Sequence, residues 1–396
     1  LSNPRLFLSA GEASGDHYGA ELIAALRPAL PDASFFGLGG REMEHAGMDR
    51  VARAEDVAHM GITEVVRHIP RIYASYRRLV NSIRTRRPQT AVLIDFPEVN
   101  LRLARELKAL GVPVIYFVSP QLWAWKRYRI RWVQQRVDRM MVIFPFEEAF
   151  YRAYDVDANF VGHPLAELPL PAVSREDYAR EHRLDPSCRW VALLPGSRRK
   201  EIRSNLTTML QAAAQLHPAN DYEFLLPVAS TLDTEWIREQ AAPWMSRLSL
   251  RLVDDAREAL FHARASVVAS GTATVQAAVI GNPFVVVYRV SPLTFWLAKH
   301  LVRYSPEIWP SAQTDESGNP PIGMVNLIAG RRIVPELIQR QFTAANIAAA
   351  FTPLLGDTPQ RARMMTDLAE LRGRLRSRTG AIGQVASAVL DQLGLP

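Results

Sequence analysis

Short uninterrupted apolar runs alternate along this chain with stretches whose apolar residues recur every three or four positions. Leu6–Ser9, Phe35–Leu38, Ala91–Asp95, Val114–Val118 and Met140–Phe144 read as buried strands, with helical patterns between them. Strands and helices in such succession predict a parallel sheet covered on both faces. After the proline-rich segment GHPLAELPLPAVS (162–174) a second series follows, with strands expected at Trp190–Leu194, Phe224–Pro227, Leu250–Val253, Ser266–Ala269 and Phe284–Tyr288. The pattern predicts an α/β fold of two doubly wound Rossmann-like domains facing a cleft, with ligand where strand ends converge. The expected divisions are 1–168, 169–345, and helices over 346–396 that pack back on the first domain. SAQTDESGNPPIG (311–323) reads as a loop, being dense in turn residues.

Composition narrows the class. The 396 residues are 48% hydrophobic and 22% charged, the balance of a folded globular protein. A single cysteine, Cys188, excludes an intrachain disulfide and a cysteine metal cluster, and suits a reducing compartment. No apolar run approaches the roughly 18 to 20 residues that span a bilayer, and a secretory signal pattern is lacking, so a cytoplasmic location with peripheral membrane contact is expected. The net charge of +7 favours anionic partners such as nucleotides, phosphorylated lipids, a membrane surface or nucleic acid.

Candidate chemistry lies in the turns after the predicted strands, because ligands bind at the carboxyl edge of a parallel sheet. The turn SAGEASGDHYGAEL (9–22) carries Glu12, Ser14 and Asp16; the acids Glu12 and Asp16 repel phosphate and suit sugar hydroxyls or a basic partner, and helix capping by Ser14 or Asp16 is the plain alternative. In LIDFPEVNLRLA (93–104), Asp95 stands just past a strand, where partial burial would raise its pKa and fit it to take a proton from an attacking hydroxyl. Glu98 and Asn100 stand nearby to orient it or hold substrate, while capping of the next helix is again the alternative. LLPGSRRKEI (193–202) sets Ser197, Arg198, Arg199 and Lys200 at a helix start, where cations beside free backbone N–H groups suit a diphosphate; a solvated basic helix start is the plain alternative. SGTATVQAAVIGNP (270–283) offers Ser270, Gly271, Thr272 and Thr274 to the same phosphate, or else small residues for close strand–helix packing.

MGITEVVRHIPRIYASYRRLV (60–80) is basic and amphipathic, with Ile62, Val66, Ile69, Ile72 and Tyr73 at helical spacing, and fits either a membrane-surface helix or one packed on its own core. Pro70 is expected to break it into two pieces. WAWKRYRIRW (123–132) mixes aromatic and basic residues and could stack bases or sit at a lipid headgroup layer, though no nucleic-acid recognition fold accompanies it. HExxH, GxSxG and Walker patterns do not occur, so metal catalysis and P-loop hydrolysis lose support.

Eleven blocks in order, SAGEASGD, FGLGG, MGITEV, IDFPEVNLRLA, FVSPQLWAWK, FPFEEAFY, FVGHPL, LLPGSR, SGTATVQAA, FWLAK and NLIAGRRIVPELIQ, make nearly the whole chain resemble the lipid-A-disaccharide synthase family of GT-B glycosyltransferases. The resemblance implies transfer of diacylglucosamine from UDP-2,3-diacylglucosamine to the 6-hydroxyl of 2,3-diacylglucosamine 1-phosphate, with inversion, giving a β-1,6 disaccharide 1-phosphate and UDP. It implies Asp95 as the base and Arg198 as the charge that stabilises the departing diphosphate. Ser197, Arg199, Ser270, Gly271, Thr272, Thr274, Gln276, Asn326, Glu336 and Gln339 fall on the nucleotide side, and Glu12, Ser14, Asp16, Glu98 and Asn100 on the acceptor side. Acyl chains add weight to a membrane contact through Ile62, Val66, Ile69, Ile72 and Tyr73. The implied partners are the two lipid substrates, an anionic inner-membrane surface and a second copy of the chain; no metal, cofactor or nucleic acid is implied.

The chain departs from the family pattern at four places. Gln276 stands where a glutamate usually meets the ribose, Arg332 where an acid is common, Glu98 where a second aspartate is usual, and the 311–323 loop reads as an insertion. Another UDP-sugar GT-B enzyme, an epimerase or polyprenyl-sugar transferase, would share the diphosphate turns but not the N-terminal blocks. A non-catalytic nucleic-acid-binding protein would explain only the basicity.

Overall fold

A computed structural model describes residues 3–55, 62–216, 222–302 and 304–395, leaving the side chains of 62–71, 293 and 298 outside the description. The chain divides into two units, 1–164 with 375–396, and 165–374.

The first unit is built on a seven-stranded sheet in the order β3-β2-β1-β4-β5-β6-β7. Its strands are β1 (Arg5–Ala10), β2 (Ser34–Gly39), β3 (Met48–Arg53), β4 (Thr90–Ile94), β5 (Val114–Phe117), β6 (Arg139–Val142) and β7 (Ala158–Phe160). All pairings are parallel. β4 is buried at every position, as a central strand covered on both faces must be. The second unit carries a six-stranded parallel sheet, β10-β9-β8-β11-β12-β13. Its strands are β8 (Arg189–Leu194), β9 (Tyr222–Pro227), β10 (Leu250–Val253), β11 (Ala265–Ala269), β12 (Phe284–Tyr288) and β13 (Glu336–Ile338).

All ten strands expected from apolar runs are present. The three that pattern reading passed over, β3, β7 and β13, are sheet edges: short or half-polar strands whose pairing depends on a neighbour rather than on their own hydrophobicity. In each sheet the strand order reverses once, between β1 and β4 and between β8 and β11. A crevice opens at the carboxyl ends of such a strand pair, because the following helices leave toward opposite faces.

Two expectations change. The C-terminal helices were to return to the first unit from residue 346, but the return begins at Leu375. The helix Ala344–Leu355 packs on Arg199–Leu216 and on β11 and β12, and only Ala381–Gln392 packs on Ala13–Leu26 and β5. Three bonds tie this last segment down: His163 N–H to the Leu375 carbonyl, Gln384 Nε2 to the Val161 carbonyl, and the Arg139–Asp391 ion pair. Nor does Pro70 divide its segment. Ile62–Arg86 is a single helix, since a proline removes only one ladder N–H and the turns on either side keep theirs.

Candidate active site

In the first unit the crevice between β1 and β4 is organised around Asp95, the residue after β4. Asp95 and Phe96 both take left-handed backbone conformations, with φ of 47° and 48°, which costs energy for any side chain and persists only when the surroundings enforce it. Here the enforcement is visible. The Asp95 N–H donates to the Phe117 carbonyl at 2.9 Å. Its own carbonyl accepts from the Tyr116 hydroxyl at 2.6 Å and from Asn100 Nδ2 at 2.7 Å. Asn100 also donates to the Ile94 and Ser9 carbonyls, and its Oδ1 accepts from the Ser9 hydroxyl at 2.6 Å. One fully buried amide thus ties the end of β1 to the turn after β4. Gly11 completes the junction: a Cβ there would lie 2.3 Å from the Phe96 ring, so only glycine admits the ring.

Held in this way, the half-buried Asp95 carboxyl has its pKa pushed up to about 6, first by burial and then by the negative charge of Glu12. A carboxylate so poised accepts a proton near neutral pH more readily than an exposed one. Glu12, at the N-cap of the helix Ala13–Leu26, and Ser14, in its first turn, are exposed.

The remaining acceptor-side expectations are revised. Asp16 is buried and accepts from the N–H groups of Gly40, Glu42 and Met43 at 2.7, 3.0 and 3.2 Å. It caps the short helix Arg41–His45 from across the unit instead of facing the crevice as a free group. Asn100 is spent on the internal bonds just described. Glu98 pairs with Arg129 and Lys126 at 2.7 and 2.9 Å, and the Arg129 bond leads the effects that lower its pKa. This fastens the aromatic and basic segment after β5 to the start of Pro97–Ala109, and neutralises part of its charge. Glu147, fully buried with its pKa pushed up to about 7 by that burial, holds the same segment through Ser119 Oγ and Trp123 Nε1 at 2.7 and 3.0 Å.

In the second unit the crevice between β8 and β11 is flanked by the two glycine turns. Ser197, Arg198, Arg199 and Lys200 are exposed, as are Gly271 and Thr272, while Ser270 and Gln276 are half-buried. The PGSR turn does not keep its backbone donors free. Glu201 Oε2 accepts from the Ser197 and Arg198 N–H groups at 2.9 and 3.3 Å. Gly196, at φ 126°, makes room for that carboxylate, which a Cβ would meet at 2.4 Å. A glutamate three residues after the cap position is the signal of half a capping box, and it was there to be read in the sequence. What this turn presents outward is therefore guanidinium groups. The other turn retains N–H groups at the start of the helix Thr272–Ile280, but Thr274 is buried and its hydroxyl donates to the Gly271 carbonyl at 2.7 Å.

Asn326, Glu336 and Gln339 form an internal brace rather than an open polar wall. Glu336 accepts from Ile322 N–H, Gly323 N–H and Asn326 Nδ2 at 3.0, 2.9 and 2.8 Å, and Arg332 pairs with it at 3.3 Å. Asn326 Oδ1 accepts from the Ile333 and Val334 N–H groups, and Gln339 bonds both the N–H and the carbonyl of Val290. Arg332, a departure in sequence, thus compensates a buried carboxylate.

Of the membrane-contact expectations, Tyr73 is exposed and Ile72 half-buried; the side chains of Ile62, Val66 and Ile69 lie outside the described residues. Among the described residues no helix is long and apolar enough to cross a membrane.

Comparison with known proteins agrees at two levels. In fold, the chain is similar to UDP-GlcNAc 2-epimerase from Neisseria meningitidis bound to UDP-GlcNAc, with a TM-score of 0.62 at 9% identity, covering 98% of this chain and 99% of that one. It is also similar to the glycotransferase of kitacinnamycin, with a TM-score of 0.64 at 15% identity over 99% of each chain. In sequence, it is 55% identical to a lipid-A-disaccharide synthase of Acidobacterium capsulatum over 99% of this chain and 97% of the relative. It is 49% identical to that of Koribacter versatilis over 94% of each. The fold is common to epimerases and transferases and does not choose between them; the sequence does. The profile of lipid-A-disaccharide synthetase matches residues 6–380, and the chain belongs to that family.

Proposed function

We propose that the protein is an inverting glycosyltransferase that joins UDP-2,3-diacylglucosamine to 2,3-diacylglucosamine 1-phosphate. The acceptor 6-hydroxyl gives its proton to Asp95, its oxygen attacks the anomeric carbon opposite the diphosphate, and the bond from that carbon to the diphosphate oxygen breaks. UDP leaves with the electron pair, and the product is the β-1,6 disaccharide 1-phosphate. A single displacement inverts the centre and needs one base, with no covalent sugar intermediate. Arg198 and Arg199 supply positive charge to the leaving diphosphate, and the N–H groups at the start of Thr272–Ile280 supply oriented donors. Glu12 and Ser14, exposed beside Asp95, contact acceptor hydroxyls. Gln276 offers a neutral amide to the ribose. The reaction as read calls for no cofactor, the UDP-sugar being a substrate.

The observation that carries this reading is Asp95: a half-buried carboxyl at the β1–β4 crevice, its backbone clamped in a costly conformation and its pKa raised into the working range of a base. On this reading the enzyme works at the cytoplasmic face of the inner membrane, with Ile72, Tyr73, Arg77 and Arg78 of the Ile62–Arg86 helix as its peripheral contact. The active species is read as a homodimer. The test is UDP release from UDP-2,3-diacylglucosamine in detergent, with and without the acceptor, for the wild type and Asp95→Asn. Acceptor-dependent UDP together with a disaccharide 1-phosphate by mass, both lost in the variant, is expected. Acceptor-independent release, or turnover that survives the substitution, would sink the assignment.

A further inference from the structure

Between β12 and the helix Met324–Ala329 the chain makes an excursion over residues 289–323. Its departure is pinned just past the carboxyl end of β12, and its return at the start of β13. At its departure, Gln339 Oε1 accepts from the Val290 N–H at 2.8 Å while Nε2 donates to the Val290 carbonyl at 2.9 Å. At its return, Glu336 holds the N–H groups of Ile322 and Gly323. Glu336 lies on β13, which pairs with β12, and Gln339 follows that strand directly. The polar positions that resemblance assigned to the nucleotide thus fix where this excursion begins and ends.

The excursion carries a helix, Pro292–Leu301, whose large apolar side chains face water: Trp296 is 57% exposed, Leu297 42% and Leu301 68%. Leu297 and Leu301 are four residues apart, as are Trp296 and His300, so the four share one side of the helix. Single exposed leucines are ordinary, but a tryptophan and two leucines on one short helix form an apolar face that water disfavours. The helix has Lys299 and His300 and no acid, and no acid occurs in the sequence from Arg289 to Pro306. Lys299 Nζ reaches the Ser317 carbonyl at 3.3 Å, and His300 Nδ1 lies 2.7 Å from the Trp296 carbonyl.

Position indicates what covers this face. β12 pairs in parallel with β11, Val287 opposite Ala269, and β11 ends in the Ser270–Thr272 turn. Neighbouring strands are about 4.8 Å apart, so the excursion leaves the sheet one strand away from the turn that presents N–H donors to the diphosphate. A sugar attached to that diphosphate and bearing fatty acyl chains has hydrocarbon to remove from water within reach of the helix. We propose that the Trp296–Leu297–Leu301 face binds an acyl chain of the sugar-nucleotide donor, making this excursion the part of the unit that distinguishes an acylated donor from a plain UDP-sugar. This rests on the function proposed above and adds a chain-length reader to it.

The test uses the full chain in detergent, with Leu297→Ser/Leu301→Ser as one variant and Trp296→Ser as another; all three positions are exposed, so folding is not at stake. KM is measured for UDP-2,3-diacylglucosamine with long and short acyl chains, and equilibrium Kd for UDP. The expected result is a KM for the long-chain donor raised at least tenfold, loss of the preference for long over short chains, and an unchanged Kd for UDP. Unchanged KM values, or UDP binding weakened in parallel, overturn the proposal. Loss of sedimentation with phosphatidylglycerol vesicles at unchanged KM assigns the face to the bilayer, and loss of dimer at unchanged KM assigns it to a second copy; either also overturns it. A wild type that binds UDP but makes no disaccharide instead fails the functional reading, and the Kd for the acylated donor against that for UDP then decides the acyl site by the same ratio.

Discussion

Replacing Asp95 with asparagine separates what this residue does for the reaction from what it costs the fold. Asparagine and aspartate are the non-glycine residues that best tolerate left-handed backbone, so Asp95→Asn keeps φ near 47° and preserves the bonds to Phe117, Tyr116 and Asn100, all made through the main chain. Only the charge is lost. Burial and Glu12 raise the carboxyl from 3.8 to about 6, a differential of about 3 kcal/mol against the ionised form, which partial exposure to water reduces to about 1–2 kcal/mol. Because the folded pKa lies above the unfolded one, the native state binds this proton more tightly, and the associated stability is present below 3.8 and lost as pH rises through about 6. At pH 8 the variant should therefore be more stable than the wild type by about 1–2 kcal/mol, with the gap closing toward pH 5. Over the same range the wild-type kcat/KM should rise through a limb near 6, and the variant should lose about 10²- to 10⁴-fold in turnover. Acceptor-dependent UDP release and urea denaturation, each followed from pH 5 to 9, read the two effects. A variant retaining a tenth of the activity, or a wild type with no acid limb and a variant with no gain in stability, would refute the reasoning.

Tyr116→Phe removes one hydroxyl from a fully buried ring and leaves its packing intact; the Asp95 carbonyl loses a 2.6 Å bond, and kcat should fall about tenfold with KM nearly unchanged, as a loosened base predicts. Arg198→Ala touches an exposed side chain, so thermal stability should hold while donor turnover drops by about 10²-fold or more and UDP binding weakens, measured by steady-state kinetics and calorimetry. Glu336→Ala releases two backbone N–H groups and the Asn326 amide in a buried place, and should cost about 3 kcal/mol in denaturant unfolding with faster amide exchange at residues 322–323.

Much of this architecture is legible without coordinates. Nine of the ten strands read from apolar runs are central, and they announce themselves because a parallel strand buried on both faces must be apolar along its whole length; the tenth, β10, is an edge. The strand ends so located put Asp95, Arg198 and Gly271 at the right edge of each sheet, since residue types that carry chemistry stand out against apolar runs. Three acids and amides read as substrate contacts were harder. Asp16, Asn100 and Glu336 carry the same side chains whether they meet a ligand or a buried backbone N–H, and only their neighbours in space decide which. Glu201 was readable as a cap from spacing alone, whereas Tyr116, inside an apolar run, gave no sign that its hydroxyl would hold the candidate base.

What the sequence by itself determined is therefore the class of fold, the family, and the positions at strand ends of the candidate reacting side chains, because these follow from local hydrophobic period and from ordered blocks along the chain. What only the tertiary structure decided is the edge strands β3, β7 and β13, the crossing point at Leu375, the clamp that strains and perturbs Asp95, and the sorting of polar residues into those left exposed at the turns and those that brace backbone. The physical reason is the same in each case. These features depend on pairings between residues far apart in the chain, such as Ser9 with Asn100 and Asp16 with Gly40, and on burial that no local pattern encodes.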